Sequence, residues 1–488
     1  MSDGPATLRY HPPARLTVSE LLSATGGRLV GGPEDLDVES AWTLCTDTRE
    51  LLDGAVFVAL RGEIHDGHRF VGQALGHGIV GALVAEDAVA ELDLAGARGP
   101  VIAVPDTLVA FGDASRAVLL RTGPRTAAVT GSVGKTTTRA MLANILRQRG
   151  RGLESEGNFN NRIGVPLTLL RLDPHDSWAV LEMGMSEPGE IRELARIAEP
   201  RVRVITEVVA AHLEFFDNVE QIADAKGELF EAALPGSTLI YPADNPLSAR
   251  FPKPAGTRLL PFSMDPHSEA PVRCLSIDDR GLDGVDATLL LPIGSIDVTI
   301  PLPGRHQVYN ALAAAAAATA LGASVDDVAA GLSSAEVPGR RMKVRRVAGL
   351  TVLDDAYNAN PASVAAGLQT LAATPVVQDG RRIAAIGDML ELGPTGPQLH
   401  TDVGRLAAHL GIDLLVGTGP LMRHAVEAVA DMGDPDGHAR AVAAEDAAAA
   451  GRFLRGWARA GDLLLLKGSR GMRMEGVLDV LAEEEEPG

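Results

Sequence analysis

The stretch TAAVTGSVGKTTTRAMLANIL, residues 126–146, passes from an apolar run through a glycine-bearing turn into a helical pattern. Residues 126–130 have the small and branched apolar character of a buried strand, and Thr136 to Gln148 has the apolar spacing of a helix. Between them lie Thr130, Gly131, Ser132, Val133, Gly134, Lys135, Thr136 and Thr137. Glycines let backbone amides converge on phosphate oxygens, and a helix N-terminus adds partial positive charge. Lys135 would neutralise terminal phosphates, and the Thr136 hydroxyl would hold Mg2+. An ordinary strand-to-helix turn is the plainer account, but it does not require a lysine and a hydroxyl in register with the glycines. Val129 stands where the first glycine of the longer G-x-x-x-x-G-K-T loop belongs, which argues against a GTPase or motor.

Outward from this loop the chain reads as α/β. Before residue 123 the pattern is short: a helix near Thr17 to Ala24, strand-like AVFVAL at 55–60, a helix near 69–77 and GALVA at 81–85. Gly123-Pro124 punctuates the chain. After the loop come apolar strands SWAVLEMG (177–184), VRVITEV (202–208) and STLIYPA (237–243), alternating with helices as a mostly parallel sheet requires. From Leu259 to Pro303 the period shortens, suggesting an added antiparallel patch, followed by an Ala-rich helix at about 306–321. Beyond Val337-Pro338-Gly339, four strand candidates (LTVLDDAY, RRIAAIGD, IDLLVGTG, DLLLLKGS) alternate with helices near 361–372, 398–410, 420–432 and 443–459. The expectation is three domains: a small N-terminal α/β domain over 1–123, a central P-loop-type mostly parallel sheet over 124–336, and a C-terminal Rossmann-like doubly wound sheet over 337–488. At roughly 150 residues per domain, 488 residues agree with that count.

Composition narrows the function classes. With 44 basic and 64 acidic residues the net charge is −20, which disfavours nucleic acid and anionic membranes as partners. The sequence starts without the apolar run of a signal peptide, and its longest bland stretch, Ala311 to Ala323, is too short to span a bilayer. Cys45 and Cys274 are the only cysteines, which supports neither a disulfide framework nor a cysteine metal site. A cytoplasmic chain without membrane insertion is expected. The run Glu483 to Glu486 reads as a solvated tail.

Glu182 closes the strand ending LEMG, His212 lies in AAHLEFF, and Lys226 lies in QIADAKGELF. Carboxyl ends of parallel strands converge on one crevice, so Glu182 and His212 are candidate Mg2+ ligands. Each alone has a plainer account: a solvated Glu, a packed His, and a surface Lys226 paired with Glu220, Asp224 or Glu228. Taken together, G-S-V-G-K-T, L-E-M-G, A-A-H-L-E and A-K-G-E-L-F occur in the order and spacing of the Mur ligases, a family related to folylpolyglutamate synthases, and the chain resembles that family over nearly its whole length.

The resemblance implies ATP and Mg2+ as cofactors, with Lys135, Glu182, His212 and Lys226 catalytic. Thr136, Glu182, His212 and a carbamylated Lys226 are its implied metal ligands. It also implies nucleotide contacts by Asn310, in the segment after Leu302-Pro303-Gly304-Arg305-His306, and by Arg340 and Asp355 in the last domain. Arg340 belongs to a basic cluster with Arg341, Lys343, Arg345 and Arg346 and is read as a phosphate clamp. Lys467-Gly468-Ser469-Arg470 is similarly placed at a strand end. Gly417-Thr418-Gly419 lacks the rest of a dinucleotide fingerprint and reads as a turn.

Within the family, four stretches resemble the MurF type: Thr46-Asp47-Thr48-Arg49 with FVALRGEIHDGH, GNFNNRIGVPLTLLRL at 157–172, DDAYNANP at 354–361, and GDMLELG at 387–393. That likeness implies uridine-nucleotide binding by Thr46, Asp47, Thr48 and Arg49. It further implies substrate contacts by Asn158, Asn160, Asn161, Tyr357, Asn358 and Asn360. The implied domain roles are UDP-sugar binding, ATP binding and ligation. The implied substrates are UDP-MurNAc-tripeptide and D-Ala-D-Ala, joined by a monomeric enzyme of cell-wall peptidoglycan synthesis. The D-N-P-R tetrapeptide of the sibling that adds the preceding diamino acid is absent, and the usual Asn-His before Gly-Glu-Ile is replaced in Met185-Ser186-Glu187-Pro188-Gly189-Glu190-Ile191. Two rivals remain: a folylpolyglutamate-type or other amide ligase with a different acceptor, and a P-loop ATPase switch that ligates nothing.

Overall fold

The computed structural model describes residues 13–62, 64–210, 214–377, 379–432 and 440–483. His212 and the glutamates after Glu483 lie outside the described residues. Two compact units are present: residues 1–128, 150–185 and 190–201 form the first, and 129–149, 186–189 and 202–488 the second. The strands fall into three sheets. No helix among the described residues is long and apolar enough to cross a membrane.

In the first unit a six-stranded sheet has the order Leu16–Thr17, Ala41–Cys45, Ala55–Val58, Val80–Ala85, Val101–Val104, Arg28–Gly31. Its four central strands are parallel and its two edges antiparallel. Ala55–Val58, Val80–Ala85 and Val101–Val104 are buried throughout, as strands covered on both faces are. The expected first helix is Val18–Thr25, started by a capping box in which Thr17 Oγ1 accepts from the Glu20 amide and Glu20 accepts from the Thr17 amide. The expected helix at 69–77 is shorter: a 3-10 turn, Gly67–Phe70, leads into Val71–Leu75, and Gly72 and Gly76 give little support to anything longer.

One long helix, Thr107–Thr122, is absent from the sequence-based reading. Asp106 caps it, accepting from the Leu108 and Val109 amides, and Gly123 ends it at φ +66°. Gly123 therefore stops a helix besides punctuating the chain. The helix packs against Gly164–Leu169 and Glu190–Ala198, approaching so closely that a Cβ on Gly112 would lie 2.7 Å from Ile197 Cδ1. Gly152–Glu154 and Trp178–Glu182 pair in parallel in the same unit.

In the second unit Val202–Ile205, Thr238–Pro242, Arg258–Ser263 and Val272–Asp279 pair successively in parallel. Val285–Leu291 and Gly294–Ile300 then add antiparallel. The expected antiparallel patch thus begins later than Leu259, because Arg258–Ser263 still belongs to the parallel series. The Ala-rich helix His306–Ala320 is almost wholly buried and lies against Lys135–Arg147, where methyl-sized side chains permit close helix approach.

The last sheet has the order Lys343–Val347, Leu350–Asp355, Leu463–Lys467, Arg382–Gly387, Leu414–Thr418, Arg440–Ala444. Only its first hairpin is antiparallel. Apolar clusters cover both faces, the doubly wound arrangement expected from the alternating pattern. All four expected strands are present, and the two edge strands are additional. Because Arg440–Ala444 is a strand, the helix expected at 443–459 begins at Ala447, capped by Asp446.

Candidate active site

The strand Arg125–Thr130 delivers the loop and the helix Lys135–Arg147 receives it, as its sequence requires. Gly131 has φ +152°, and a Cβ there would lie 2.0 Å from Thr206 Oγ1. Gly134, at φ +82°, begins the helix, and a Cβ there would lie 2.3 Å from Asn310 Oδ1. Both positions demand glycine for backbone angle and for space. Lys135 Nζ donates to the Gly131 carbonyl at 2.7 Å, so the ammonium rests over the loop it would share with phosphates.

Neighbouring strand ends brace the loop. The Thr206 amide donates to the Thr130 carbonyl at 2.8 Å and Thr206 Oγ1 to the Val133 carbonyl at 2.6 Å. The Ser132 amide donates to the Glu207 carbonyl at 2.6 Å, and Ser132 Oγ to the Val209 carbonyl at 2.9 Å. The Glu207 carboxylate accepts from Asn245 and from the Val208 amide, and it faces the Tyr309 phenol. Burial, followed by the Glu207 charge, pushes that phenol far above its ordinary pKa. Sequence reasoning missed Thr206, Glu207 and Asn245. Their position just past the ends of parallel strands was the available signal.

Lys226 lies on Val219–Glu231 and is 2% exposed. Two of its possible surface partners are otherwise engaged: Asp224 pairs with Arg250 at 2.5 Å, and Glu228 Oε1 accepts from the Gly189 amide at 2.7 Å. The surface account of Lys226 is therefore wrong. Burial, and then the charge of Lys135, lower its pKa well below that of an ordinary lysine. The Glu228 contact also holds the 186–189 loop, where Ser186 and Glu187 depart from the family pattern.

Asn310 is buried beneath the loop's end, where Thr138 Oγ1 lies 3.5 Å from its Oδ1 and its Nδ2 donates to Gln307 Oε1 at 3.2 Å. Five residues before it on the chain, the Gly304–Arg305 turn approaches Pro361–Ala373, with a Cβ on Gly304 falling 2.5 Å from Thr370 Oγ1. Burial lowers the His306 pKa against the opposing pull of the Asp355 carboxylate. Asp355 accepts from Lys467 Nζ at 2.5 Å and from the Met342 amide at 3.2 Å. Lys467 also donates to the Asn358 carbonyl at 3.0 Å. Arg340 Nη1 donates to the fully buried Asp354 at 3.0 Å. The Arg341 guanidinium stacks 3.7 Å over the Tyr357 ring. Asn360, a candidate substrate residue, caps Pro361–Ala373 by accepting from the Ser363 amide at 2.9 Å.

In the first unit Glu182 is 4% exposed and accepts from Asn160 Nδ2 at 3.0 Å, and its amide donates to Ser155 Oγ. Asn161 Oδ1 accepts from the Gly164 amide at 2.8 Å, at the start of Gly164–Leu169, while Asn158 is exposed. Asp47 and Arg49 form a bidentate pair at the turn Thr48–Glu50, and this pairing holds the Asp47 carboxyl down at about 2. Thr46 is half-buried beside them.

No group of three or more His, Cys, Asp or Glu among the described residues is arranged to hold a metal. Mg2+ needs few protein ligands, because it retains water and takes phosphate oxygens. The Thr136 hydroxyl in the second unit, and separately the Glu182 carboxylate in the first, are each hard oxygen donors of the kind it prefers. The buried Thr130 hydroxyl, without a hydrogen-bond partner among the described residues, is a further polar atom in the loop. By donor chemistry the loop hydroxyls Thr130 and Thr136 fit such an ion.

The Mur ligase middle domain family matches residues 129–318, and the family described as Mur ligase, glutamate ligase domain matches residues 340–470. The chain is 38% identical over 420 residues to the UDP-N-acetylmuramoyl-tripeptide--D-alanyl-D-alanine ligase of Escherichia coli (strain K12), covering 86% of this chain and 89% of that one. It superposes on a crystal structure of MurF from Acinetobacter baumannii with a TM-score of 0.86 at 31% identity, covering 97% and 100% of the two chains. The MurF ligase of Thermotoga maritima, crystallised in complex with ADP, gives a TM-score of 0.77 at 26% identity, covering 90% of this chain and 97% of that one. With a likeness of this extent in both sequence and fold, the chain belongs to the Mur ligase family, among its MurF members.

Proposed function

We propose that the chain ligates D-alanyl-D-alanine to UDP-N-acetylmuramoyl-tripeptide at the expense of ATP, making the UDP-MurNAc-pentapeptide precursor of peptidoglycan. The observation that carries this reading is a glycine loop bearing Lys135 together with a second lysine, Lys226, that is buried on Val219–Glu231, an arrangement that a simple ATPase switch does not need. A carboxylate and an amine do not condense near neutral pH. Here a carboxylate oxygen of the tripeptide attacks the terminal phosphorus of ATP, the bond to ADP breaks, and an acyl phosphate forms. The dipeptide amine then attacks the acyl carbon, phosphate leaves, and the amine's surplus proton is released.

In this proposal the amides of Thr130 to Thr137 and the Lys135 ammonium receive the phosphates, and positioning supplies much of the rate. Asn310, Arg340 and Asp355 hold the nucleotide. Thr46, Asp47, Thr48 and Arg49 take the uridine nucleotide, and Asn158, Asn160, Asn161, Tyr357, Asn358 and Asn360 take the peptide and the acceptor. Thr136, Glu182, His212 and Lys226 in carbamylated form would hold Mg2+, which would offset charge crowding among the anions. Carbamylation needs a neutral amine, which the burial of Lys226 favours. We further propose domains at 1–123, 124–336 and 337–488, a cytoplasmic location and a monomer.

The test is phosphate release from ATP and Mg2+ by the purified chain, with UDP-MurNAc-tripeptide and D-Ala-D-Ala supplied separately and together, and the product weighed by mass spectrometry. Release requiring both, with pentapeptide formed, supports the proposal. Turnover without either substrate would indicate an ATPase switch. Silence from a chain that still binds ATP would indicate another acceptor.

A further inference from the structure

Asp354 and Asp355 are adjacent, yet their partners differ in kind. Asp355 is partly exposed and paired with Lys467. The Asp354 carboxylate has no exposed surface, and a single oxygen, Oδ2, meets two guanidinium groups: it accepts a hydrogen bond from Arg340 Nη1 at 3.0 Å and lies in charge contact, without hydrogen-bond alignment, with Arg345 Nε at 2.8 Å. One buried negative charge thus has two positive partners, each about one-third exposed. The trio carries net positive charge and can offer one arginine to an anion.

The two arginines are anchored differently: Arg345 by a strand ladder, Arg340 by a single backbone bond from the Tyr357 amide to its carbonyl. Arg345 lies within Lys343–Val347, opposite Val352 in an antiparallel ladder, and Asp354 is the next residue on the same face. Its backbone is held by the sheet. Arg340 lies in the irregular segment after Gly339, whose φ is +82°, and precedes the first residue of that strand. If Arg340 were the sole partner of Asp354, moving it to a phosphate would leave a buried carboxylate uncompensated, which is strongly unfavourable. With Arg345 in place that cost is largely avoided.

We propose that Arg345 is the standing counter-ion of Asp354, a positioning residue that frees Arg340 to leave Asp354 for a phosphate of bound ATP. The inference rests on the reading of Arg340 as a phosphate clamp. In Arg345→Gln, Asp354 retains Arg340, so KM for ATP rises about tenfold or more while KM for D-Ala-D-Ala changes little. In the double variant Asp354→Asn with Arg345→Gln, nothing holds Arg340 back, and KM for ATP returns to within about threefold of the parent.

The experiment measures both KM values, kcat and the melting temperature for these two variants, for Asp354→Asn alone and for Arg340→Ala. Asp354→Asn is expected to bind ATP as tightly as the parent or more so. It remains informative even if Arg345→Gln fails to fold. An unchanged KM for ATP in Arg345→Gln, beside a raised value in Arg340→Ala, overturns the counter-ion role and leaves the clamp standing. A raised value that the double variant does not reverse overturns it too, because Arg345 would then act on ATP directly. An unchanged value in Arg340→Ala removes the clamp itself and the proposal with it.

Discussion

A lysine on an amphipathic helix ordinarily keeps its ammonium in water. Lys226 does not, and its pKa is lowered by burial and by Lys135. Because the folded-state value lies below the unfolded one, the amine costs stability as pH falls below the ordinary lysine value. Lys226→Met is therefore expected to melt no lower than the parent at pH 7 while losing roughly a hundredfold or more in turnover, a loss typical of removing one electrostatic group from a reacting site. Retained phosphate release would remove Lys226 from the chemistry. A carbamate on Lys226 further predicts turnover that falls when bicarbonate is stripped and recovers when it is restored. Gly134 is constrained by backbone instead: a side chain at φ +82° is strained by about 1–3 kcal/mol and would meet Asn310. Gly134→Ala is expected to weaken nucleotide binding by about tenfold or more, read as the Kd of an ATP analogue.

Among the elements, Gly396–His409 shows how a helix can position a loop. Its His400 is fully buried: Nδ1 lies 2.6 Å from the Gly396 carbonyl, and Nε2 accepts from the Met389 amide at 3.0 Å. That pattern requires the neutral ring with its proton on Nδ1, and burial lowers the His400 pKa from 6.5 despite the Gly396 carbonyl and the nearby Asp388 charge. Above about pH 6.5 both folded and unfolded states hold a neutral ring and the stability is complete. Below it the unfolded state takes up the proton first, so stability falls as pH drops towards the folded value. The melting temperature should accordingly decline from pH 7 to pH 5, with a shallower slope in His400→Gln. Equal slopes would place the acid sensitivity elsewhere. The GDMLELG segment was legible as a motif, but its histidine anchor, nine residues beyond Glu391, was not.

For the whole molecule, ligand linkage is the accessible measure. A ligand at a hundred times its Kd adds about 2.7 kcal/mol to the state that binds it. ATP with Mg2+ should therefore raise the melting temperature by several degrees, at roughly 2–4 °C per kcal/mol for a cooperative unit of 150–250 residues. Chelation of the metal should remove much of the rise. A shift indifferent to chelation would argue against a bound metal in nucleotide recognition. With a net charge of −20, the proposed binding of anionic ligands would rely on local cations such as Lys135 and Arg340, and raised salt should weaken it.

What the sequence determined by itself was whatever is contiguous. The strand, glycines, lysine and hydroxyls of 126–138 form one local device, and the apolar runs of the last domain specify buried parallel strands whatever their order. Helix Thr107–Thr122 escaped notice because half of its buried residues, Ala110, Gly112, Ala114 and Ser115, give little apolar contrast. The tertiary structure alone decided that Lys226 is buried, that Glu207 and Asn245 brace the loop, and that Asp354 has two arginines. It also decided that Leu463–Lys467, late in the chain, lies at the centre of its sheet and delivers Lys467 to Asp355 across 112 positions. Solvation and charge pairing depend on which segments fold together, and no local pattern carries that information.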